Sequence, residues 1–513
     1  MFSKKLRSLL AYLFLAIALA SGCAKLPPRP DTVVQTALPA GQTTLLDRTI
    51  QPALNSHPGQ SGFRLLSENA DAFAMRIVAA RRAERSLDAM YYLWHNDLTG
   101  RLMAREALRA ADRGVRVRLL MDDNDARAKD AGFAALAAHP LIEVRLFNPF
   151  ATRSGALFQF VEGLSRFKRL NRRMHNKVWI ADNRIAVAGG RNLGDEYFGA
   201  NTTLDFLDLD VAMVGPVVQA HSAMFDRYWN STATWPIAAL GAGRVTAEAL
   251  AELRKNLDAA WLDDRASTYL ESIREENSVQ RLMEGDWTLS WTATWKLLTD
   301  NPNKIFKEEG SSNVLAGLVQ AFNDAKKSIV IVSPYFVPGN GGTKALTARV
   351  KNGKQVVVLT NSLAATDVAL VHGGYASHRR KLLRGGVELY ELKAIGPPIK
   401  LSLIGSSQAS LHTKAALVDK RVAFVGSYNL DPRSTSLNTE MGVLIEQPEI
   451  AAQLHRLISI QTDADHAWRV SIDGNGSLQW SDGDNISHTD PDASLMRKVQ
   501  AWLAQMLPIE SQL

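Results

Sequence analysis

The sequence predicts an α/β protein made of two lobes, because two of its stretches follow one plan. In the first, Ser86-Leu87-Asp88-Ala89-Met90-Tyr91-Tyr92 is strand-like, a helical pattern runs on through Leu108, and Arg113-Gly114 turns into a strand ending at Leu120. In the second, Ser328 to Phe336 is the strand, a helical pattern follows, and Gly353 to Leu359 is the next turn and strand. Strands alternating with helices build an α/β sheet in each half. The chain's 513 residues also exceed what one hydrophobic core usually organises.

Composition narrows the class. With 46% hydrophobic and 22% charged residues, the chain is neither disordered nor a polytopic membrane protein. Its net charge of +7 favours an anionic partner, nucleic acid or an acidic lipid surface, although a charged surface kept for solubility gives the same balance.

Residues 1–23 predict an export signal. Lys4, Lys5 and Arg7 precede an apolar run from Leu9 to Ala20, too short for a comfortable membrane span, and then comes Ser21-Gly22-Cys23. Cys23 is the only cysteine, so no disulfide can form within the chain. The stretch Leu19 to Cys23 resembles a bacterial lipoprotein processing site, which makes Cys23 the lipidation residue; Ala20 stands where that pattern prefers leucine. An ordinary signal peptide is the alternative, and both take the mature protein out of the cytoplasm. Residues 24–61, with Pro27-Pro28-Arg29-Pro30, read as a polar tether. Residues 62–240 form the first lobe, 241–310 a Glu/Arg/Leu-rich helical connector, and 311–470 the second lobe. In the tail, 471–513, Leu495, Val499, Trp502, Leu503 and Met506 share one helical face, for a membrane surface or for docking on the body.

The repeat carries the chemistry. His175-Asn176-Lys177, Asp182 and Gly189-Gly190-Arg191-Asn192 are matched by His412-Thr413-Lys414, Asp419 and Gly426-Ser427-Tyr428-Asn429. Offsets from His to Lys, Asp, Gly and Asn are 2, 7, 14 and 17 in both copies, which lie 237 residues apart. Side chains two apart on an extended strand share a face, so each His and Lys project together. Asp182 and Asp419, members of the motif with the opposite parity, sit at turn signals and read as hairpin organisers rather than proton carriers. Gly190 and Ser427 leave room for a phosphate to reach backbone amides, and Asn192 and Asn429 can donate to its oxygens.

Such a set suits phosphodiester chemistry. One imidazole attacks phosphorus and the other protonates the leaving alkoxide. The lysines and asparagines stabilise charge on the non-bridging oxygens. Metal-ligand spacings such as paired Cys or HExxH are absent, so neither a metal nor another cofactor is expected. A nucleophilic imidazole needs an acceptor on its other nitrogen. Counting back eight residues from Pro216 and Pro448 gives Asp208 and Glu440 as the histidine-orienting acids; Asp210 competes with Asp208, and the register favours Asp208. Which acid serves which histidine stays open.

These motifs resemble the signature of the phospholipase D superfamily, His-x-Lys with Asp five residues on and then Gly-Gly/Ser-x-Asn, from about Gly62 to Trp468. The resemblance implies two lobes, each a mixed sheet flanked by helices, related by a pseudo-twofold axis with the motifs meeting between them. Asn171 to Lys177, Ser333 to Pro338 and Asp431 to Thr435 are similar to bacterial cardiolipin synthases, their C type most. That implies phosphatidyl transfer through a phosphohistidine: a donor phospholipid, phosphatidylethanolamine or phosphatidylglycerol, loses its headgroup alcohol, and phosphatidylglycerol attacks. His175 is then the nucleophile and His412 the acid/base, with the swap open. Phospholipids and a membrane are the expected partners; nucleic acid is not.

Around the motifs, Arg166, Lys168 and Arg169 either draw in anionic headgroups or form a solvated basic loop, and Arg172 and Arg173, close to His175, are read as drawing in headgroups. Tyr91, Tyr92, Trp94, Tyr335 and Phe336 line an acyl channel or, for Tyr91 and Tyr335 first of all, pack in the core. Three other readings share the motifs: a secreted phospholipase D that hydrolyses, a nuclease, and a lipoprotein scaffold without catalysis. The expected location is a periplasm-facing membrane. Ala24, in place of the Asp associated with inner-membrane retention, points to the outer membrane, whereas cardiolipin synthesis points to the inner one.

Overall fold

In the computed structural model, the residues described are 26–153, 162, 166–241, 243, 245–275, 280–281, 288–306, 312–394, 409–506 and 510–512. Cys23 and the export signal lie outside them. Among them, no helix is long and apolar enough to cross a membrane.

The first lobe holds β1 (Ser61–Leu66), β2 (Ser86–Tyr91), β3 (Arg116–Asp122), β4 (Ile142–Phe147), β5 (Val178–Ala181), β6 (Ile185–Gly189), β7 (Asp205–Leu207), β8 (Asp210–Val214) and β9 (Thr234–Pro236). Between the lobes come β10 (Ser290–Thr292) and β11 (Trp295–Thr299). The second lobe holds β12 (Ser328–Val332), β13 (Gln355–Asn361), β14 (Glu388–Leu392), β15 (Ala409–Leu411), β16 (Ala415–Val418), β17 (Val422–Gly426), β18 (Met441–Glu446), β19 (Ala467–Ile472), β20 (Leu478–Ser481) and β21 (Ile486–Ser487).

The two sheets share one topology. The order β1-β8-β6-β5-β2-β3-β4-β9 is repeated by β11-β18-β17-β16-β12-β13-β14-β19. In both, the β2–β3–β4 or β12–β13–β14 pairings are parallel and the rest antiparallel. Each sheet is therefore mixed, as a crossover helix between parallel strands and hairpins elsewhere require.

Three segments differ from the sequence reading. The expected tether is docked: the Gln35 amide donates to Asn230, the Ala37 amide to Asp226, and the helix Leu45–Ser56 is held by Arg184 on Asp47. Among its described residues the connector is helical over Ala247–Trp261, Asp264–Glu275 and 280–281, with a 3-10 turn at Pro302–Phe306; its aromatic and Thr-rich stretch from Ser290 to Thr299 forms β10 and β11. Each pairs with an edge, β10 with β1 and β11 with β18. The tail lengthens the second sheet through β20 and β21 before its final helix, Leu495–Met506.

Apolar side chains of both lobes meet in one core. Met90, Val178, Ile180, Val211 and Met213 belong to the same buried cluster as Val332, Leu417, Val425, Met441 and Val443. The helices Pro216–Trp229 and Pro448–Gln461 also supply this layer, through Phe225, Trp229, Ile450 and Leu454. The lobes are thus packed face to face, and the site lies where they join.

Candidate active site

Each motif sits just ahead of a short strand, β5 or β16, and is pinned to the opposite lobe. The His175 amide donates to Thr439 O at 2.9 Å and the Thr439 amide to Arg173 O at 2.9 Å. Symmetrically, β15 pairs in parallel with β7, and the His412 and Thr413 amides donate to Leu207 O at 2.8 and 2.9 Å. The segment carrying each histidine therefore aligns with the segment leading to the other lobe's acid.

The acids accordingly serve the partner histidines. His175 Nδ1 lies 2.9 Å from Glu440 Oε2, and His412 Nδ1 lies 2.5 Å from Asp208 Oδ2. Asp210 is turned away to Arg76 at 2.9 Å and Arg191 at 3.5 Å. Lys177 Nζ donates to His175 O at 2.7 Å; Lys414 Nζ reaches His412 O and lies 2.9 Å from its Nδ1. An Nδ1–H given to a carboxylate leaves the Nε2 lone pair of a neutral ring available.

Burial sets the charge states. His175 is pushed down to about 4 chiefly by desolvation, which with smaller help from Lys177 and Lys414 overcomes the opposing pull of Glu440. Burial also lowers His412, with Lys414 adding to it. Desolvation brings Lys177 down to about 7 and Lys414 to about 8. Desolvation by itself raises Glu440 and Asp208; the imidazoles and lysines beside them overcome it and hold both carboxyls below the usual range. The resting site is two neutral imidazoles, two ionised acids and two lysines poised near neutrality, so its charge balances only when both lysines hold their protons. A phosphodiester arriving beside Lys177 and Lys414 favours their charged form.

Several residues do something other than their spacing suggests. The Gly190 amide donates to Leu209 O and the Ser427 amide to Met441 O, so both are spent on the sheet and not aimed at a phosphate. Gly190 is glycine because a Cβ there would lie 2.1 Å from Asp208 Oδ1. Ser427 instead donates its hydroxyl to Glu440 Oε2 at 2.5 Å. Asn192 accepts from the Leu93 amide at 3.2 Å and donates to the Tyr197 hydroxyl at 2.9 Å, whereas the buried Asn429 Oδ1 has no partner among the described residues. Asp182 accepts from the Glu84, Arg85 and Ser86 amides, and Asp419 from those of Lys326, Lys327 and Ser328. Both aspartates have positive φ, 51° and 53°, and clamp the hairpin turn to the start of β2 or β12.

The basic run ahead of His175 is largely structural. Arg173 is buried and donates to Asp122 at 3.1 Å and Asn148 O at 2.7 Å; Arg169 donates to Asn148 and Arg166 pairs with Glu162. Of the aromatics, Tyr91, Trp94 and Phe336 are core. Tyr92 packs its ring 5.2 Å from His175, and Tyr335, against expectation, stands 6.4 Å from His412. Two further groups escaped the sequence reading. Tyr197 packs 5.3 Å from His412, and the Ser434 hydroxyl donates to Glu440 Oε1 at 2.9 Å. Both lie 22 residues after their histidine, a signal the matched offsets would have yielded if extended.

Two equivalent lobes that exchange strands and acids around a doubled His/Lys set define the duplicated phospholipase D-type fold. A family model for "Cardiolipin synthase, PLD-like domain" matches residues 77–229 and 318–459, and the chain belongs to that family. Cardiolipin synthase C of Escherichia coli (strain K12) is 42% identical over 475 residues, 91% of this chain and 99% of its own. An uncharacterized protein of Helicobacter pylori (strain ATCC 700392 / 26695) is 30% identical over 470 residues, 91% of this chain and 92% of its own. The crystal structure of phosphatidylserine synthase from Haemophilus influenzae Rd KW20 covers 91% of this chain and 98% of its own at a TM-score of 0.57 and 15% identity, a likeness of fold.

Proposed function

We propose that this chain is a phosphatidyltransferase that makes cardiolipin from phosphatidylglycerol and a second phospholipid, phosphatidylethanolamine or phosphatidylglycerol. The observation that carries the reading is the crossed pairing, His175 with Glu440 and His412 with Asp208, in a buried site that also holds Lys177 and Lys414. The relationship to Escherichia coli cardiolipin synthase C supports lipid as both donor and acceptor.

His175 Nε2 attacks the donor's phosphorus while Glu440 holds the proton on Nδ1. The bond from phosphorus to the headgroup oxygen breaks, and His412 gives that oxygen its Nε2 proton. A free hydroxyl of phosphatidylglycerol then attacks the phosphoramidate, returning a proton to His412 Nε2 as the nitrogen–phosphorus bond breaks. The incoming phosphodiester raises His412 enough to arrive protonated, Lys177 and Lys414 neutralise the non-bridging oxygens, and the Asn429 NH2 group donates to one of them.

The export signal and Cys23 support a lipoprotein on a periplasm-facing membrane of a Gram-negative-type cell. The test is incubation of the purified protein with phosphatidylglycerol, with and without phosphatidylethanolamine. Cardiolipin is expected from the parent and none from His175→Ala or His412→Ala. Phosphatidic acid alone would make the protein a hydrolase, and full turnover by either variant would end the proposal.

A further inference from the structure

The helix Leu495–Met506 sorts its side chains into two opposite faces. Ala501 and Ala504, both buried, press against Gly373 of the helix Ala369–Ala376; a Cβ on Gly373 would stand 2.4 Å from Ala501 O and 2.7 Å from Ala504 Cβ. Arg497 fixes the same side by donating to Leu363 O and Thr366 O. At 100° per residue these three small or anchored positions span one side, and Leu495, Met496, Val499, Trp502, Leu503 and Met506 fall within about a third of a turn on the other. Those six are exposed, from 43% at Val499 and Leu503 to 79% at Leu495. The helix docks by its alanines and turns its large apolar side chains outward.

A soluble surface does not gather six large apolar residues, one of them Trp, without an occupant. The partner helix continues the pattern, since Val368 and Leu370 at its start are also exposed. Lys498 and Arg380 line the same groove as Trp502; of the acids in it, Asp490 is paired with Arg379 and Asp473 accepts from the Asn475 and Ser477 amides. That combination matches a bilayer of anionic lipid, with apolar side chains below the headgroups and cations among them. The helix is also tied to the active site. Asp367, two residues before the partner helix, accepts from the Tyr335 hydroxyl at 2.6 Å, and Tyr335 stands beside His412. Past the helix, Gln512 accepts from Asn171, four residues before His175.

We propose that the outward face of Leu495–Met506 is a membrane-contact surface that seats the enzyme on the bilayer and holds the entrance to the active site at headgroup level. The proposal rests on the phospholipid reading of that site. It calls for interfacial catalysis: the substrate stays in its leaflet and the protein settles onto it, whether or not Cys23 carries a lipid anchor.

The test uses the full chain and vesicles of phosphatidylglycerol and phosphatidylethanolamine with brominated acyl chains. Bromine quenches only indoles that enter the apolar layer, and the difference between the parent and Trp502→Phe isolates Trp502. The Trp502 emission should be quenched, and Trp502→Gln with Leu503→Gln should raise KM for vesicular phosphatidylglycerol by about tenfold or more, as the loss of two buried apolar side chains requires. Turnover of soluble short-chain phosphatidylglycerol should not change. An unquenched Trp502, or an unaltered vesicular KM, in a protein that turns over the soluble lipid would overturn the membrane surface and leave the reaction standing. A protein inactive on both lipids would overturn the phospholipid reading beneath it.

Discussion

In the proposed reaction His175 and Lys177, two residues apart, need opposite charge states, and burial delivers both only within a limited pH window. The imidazole must be neutral to attack, so kcat/KM rises as pH climbs through about 4. The lysines must be charged, so it falls as pH rises through about 7 and then 8, where Lys177 and Lys414 lose their protons. A profile of kcat/KM on soluble lipid should be bell-shaped with its optimum on the acid side of neutrality, its two limbs belonging to the coupled set. A rate constant flat to pH 10 would show that the lysines are not needed as cations. Gly190 offers a second test at this scale. Because its missing Cβ makes room for the Asp208 carboxylate, Gly190→Ala should displace the acceptor on His412 and lower kcat at least about tenfold, as loss of a general acid's orientation does. Ser427→Gly, which removes one of two hydroxyl donors to Glu440, should cost less. The identity of every motif residue was legible in the repeat; the use of the glycine was not, because a missing Cβ names no neighbour until strands are paired.

At the scale of elements, the two aspartates show what part of the signature is architecture. Asp182 gathers three backbone amides and ties the β5–β6 turn to the start of β2, as Asp419 does between β16–β17 and β12. Asp182→Ala should leave buried amides unpaired and lower stability by about 2–4 kcal/mol. Its melting temperature should drop while kcat per folded molecule holds, whereas an equal loss of kcat at unchanged stability would make Asp182 a participant in the reaction. The turn role was readable from parity and from the Asp-Asn and Asp-Lys dipeptides. The strands β10 and β11 were not, since a charged helical stretch precedes them and each finds its partner on an edge far away in sequence. The docked segment before β1 escaped for a similar reason: Pro-rich composition reports what a segment cannot form, and says nothing of the Asn230 and Asp226 side chains that receive it.

For the whole molecule, duplication was visible as matched spacing, but the crossing of the halves was not. A repeat read along the chain describes two similar lobes; it does not say that each acid serves the other lobe's histidine, or that β7 and β15 pair across the join. Those contacts follow from a core shared by both sheets, which fixes the lobes face to face. In the proposed reaction the two half-sites make one active site, with unequal duties for two chemically similar imidazoles. Trapping the covalent intermediate tests this most directly. Phosphatidylglycerol labelled at phosphorus, mixed with the enzyme and quenched in base, should leave label on the peptide that holds His175. His412→Asn, which lacks both the acid of the first step and the base of the second, should gain label more slowly and release it more slowly, and His175→Asn should hold none. Label on the His412 peptide would reverse the duties, and turnover without any base-stable labelled histidine would contradict the account.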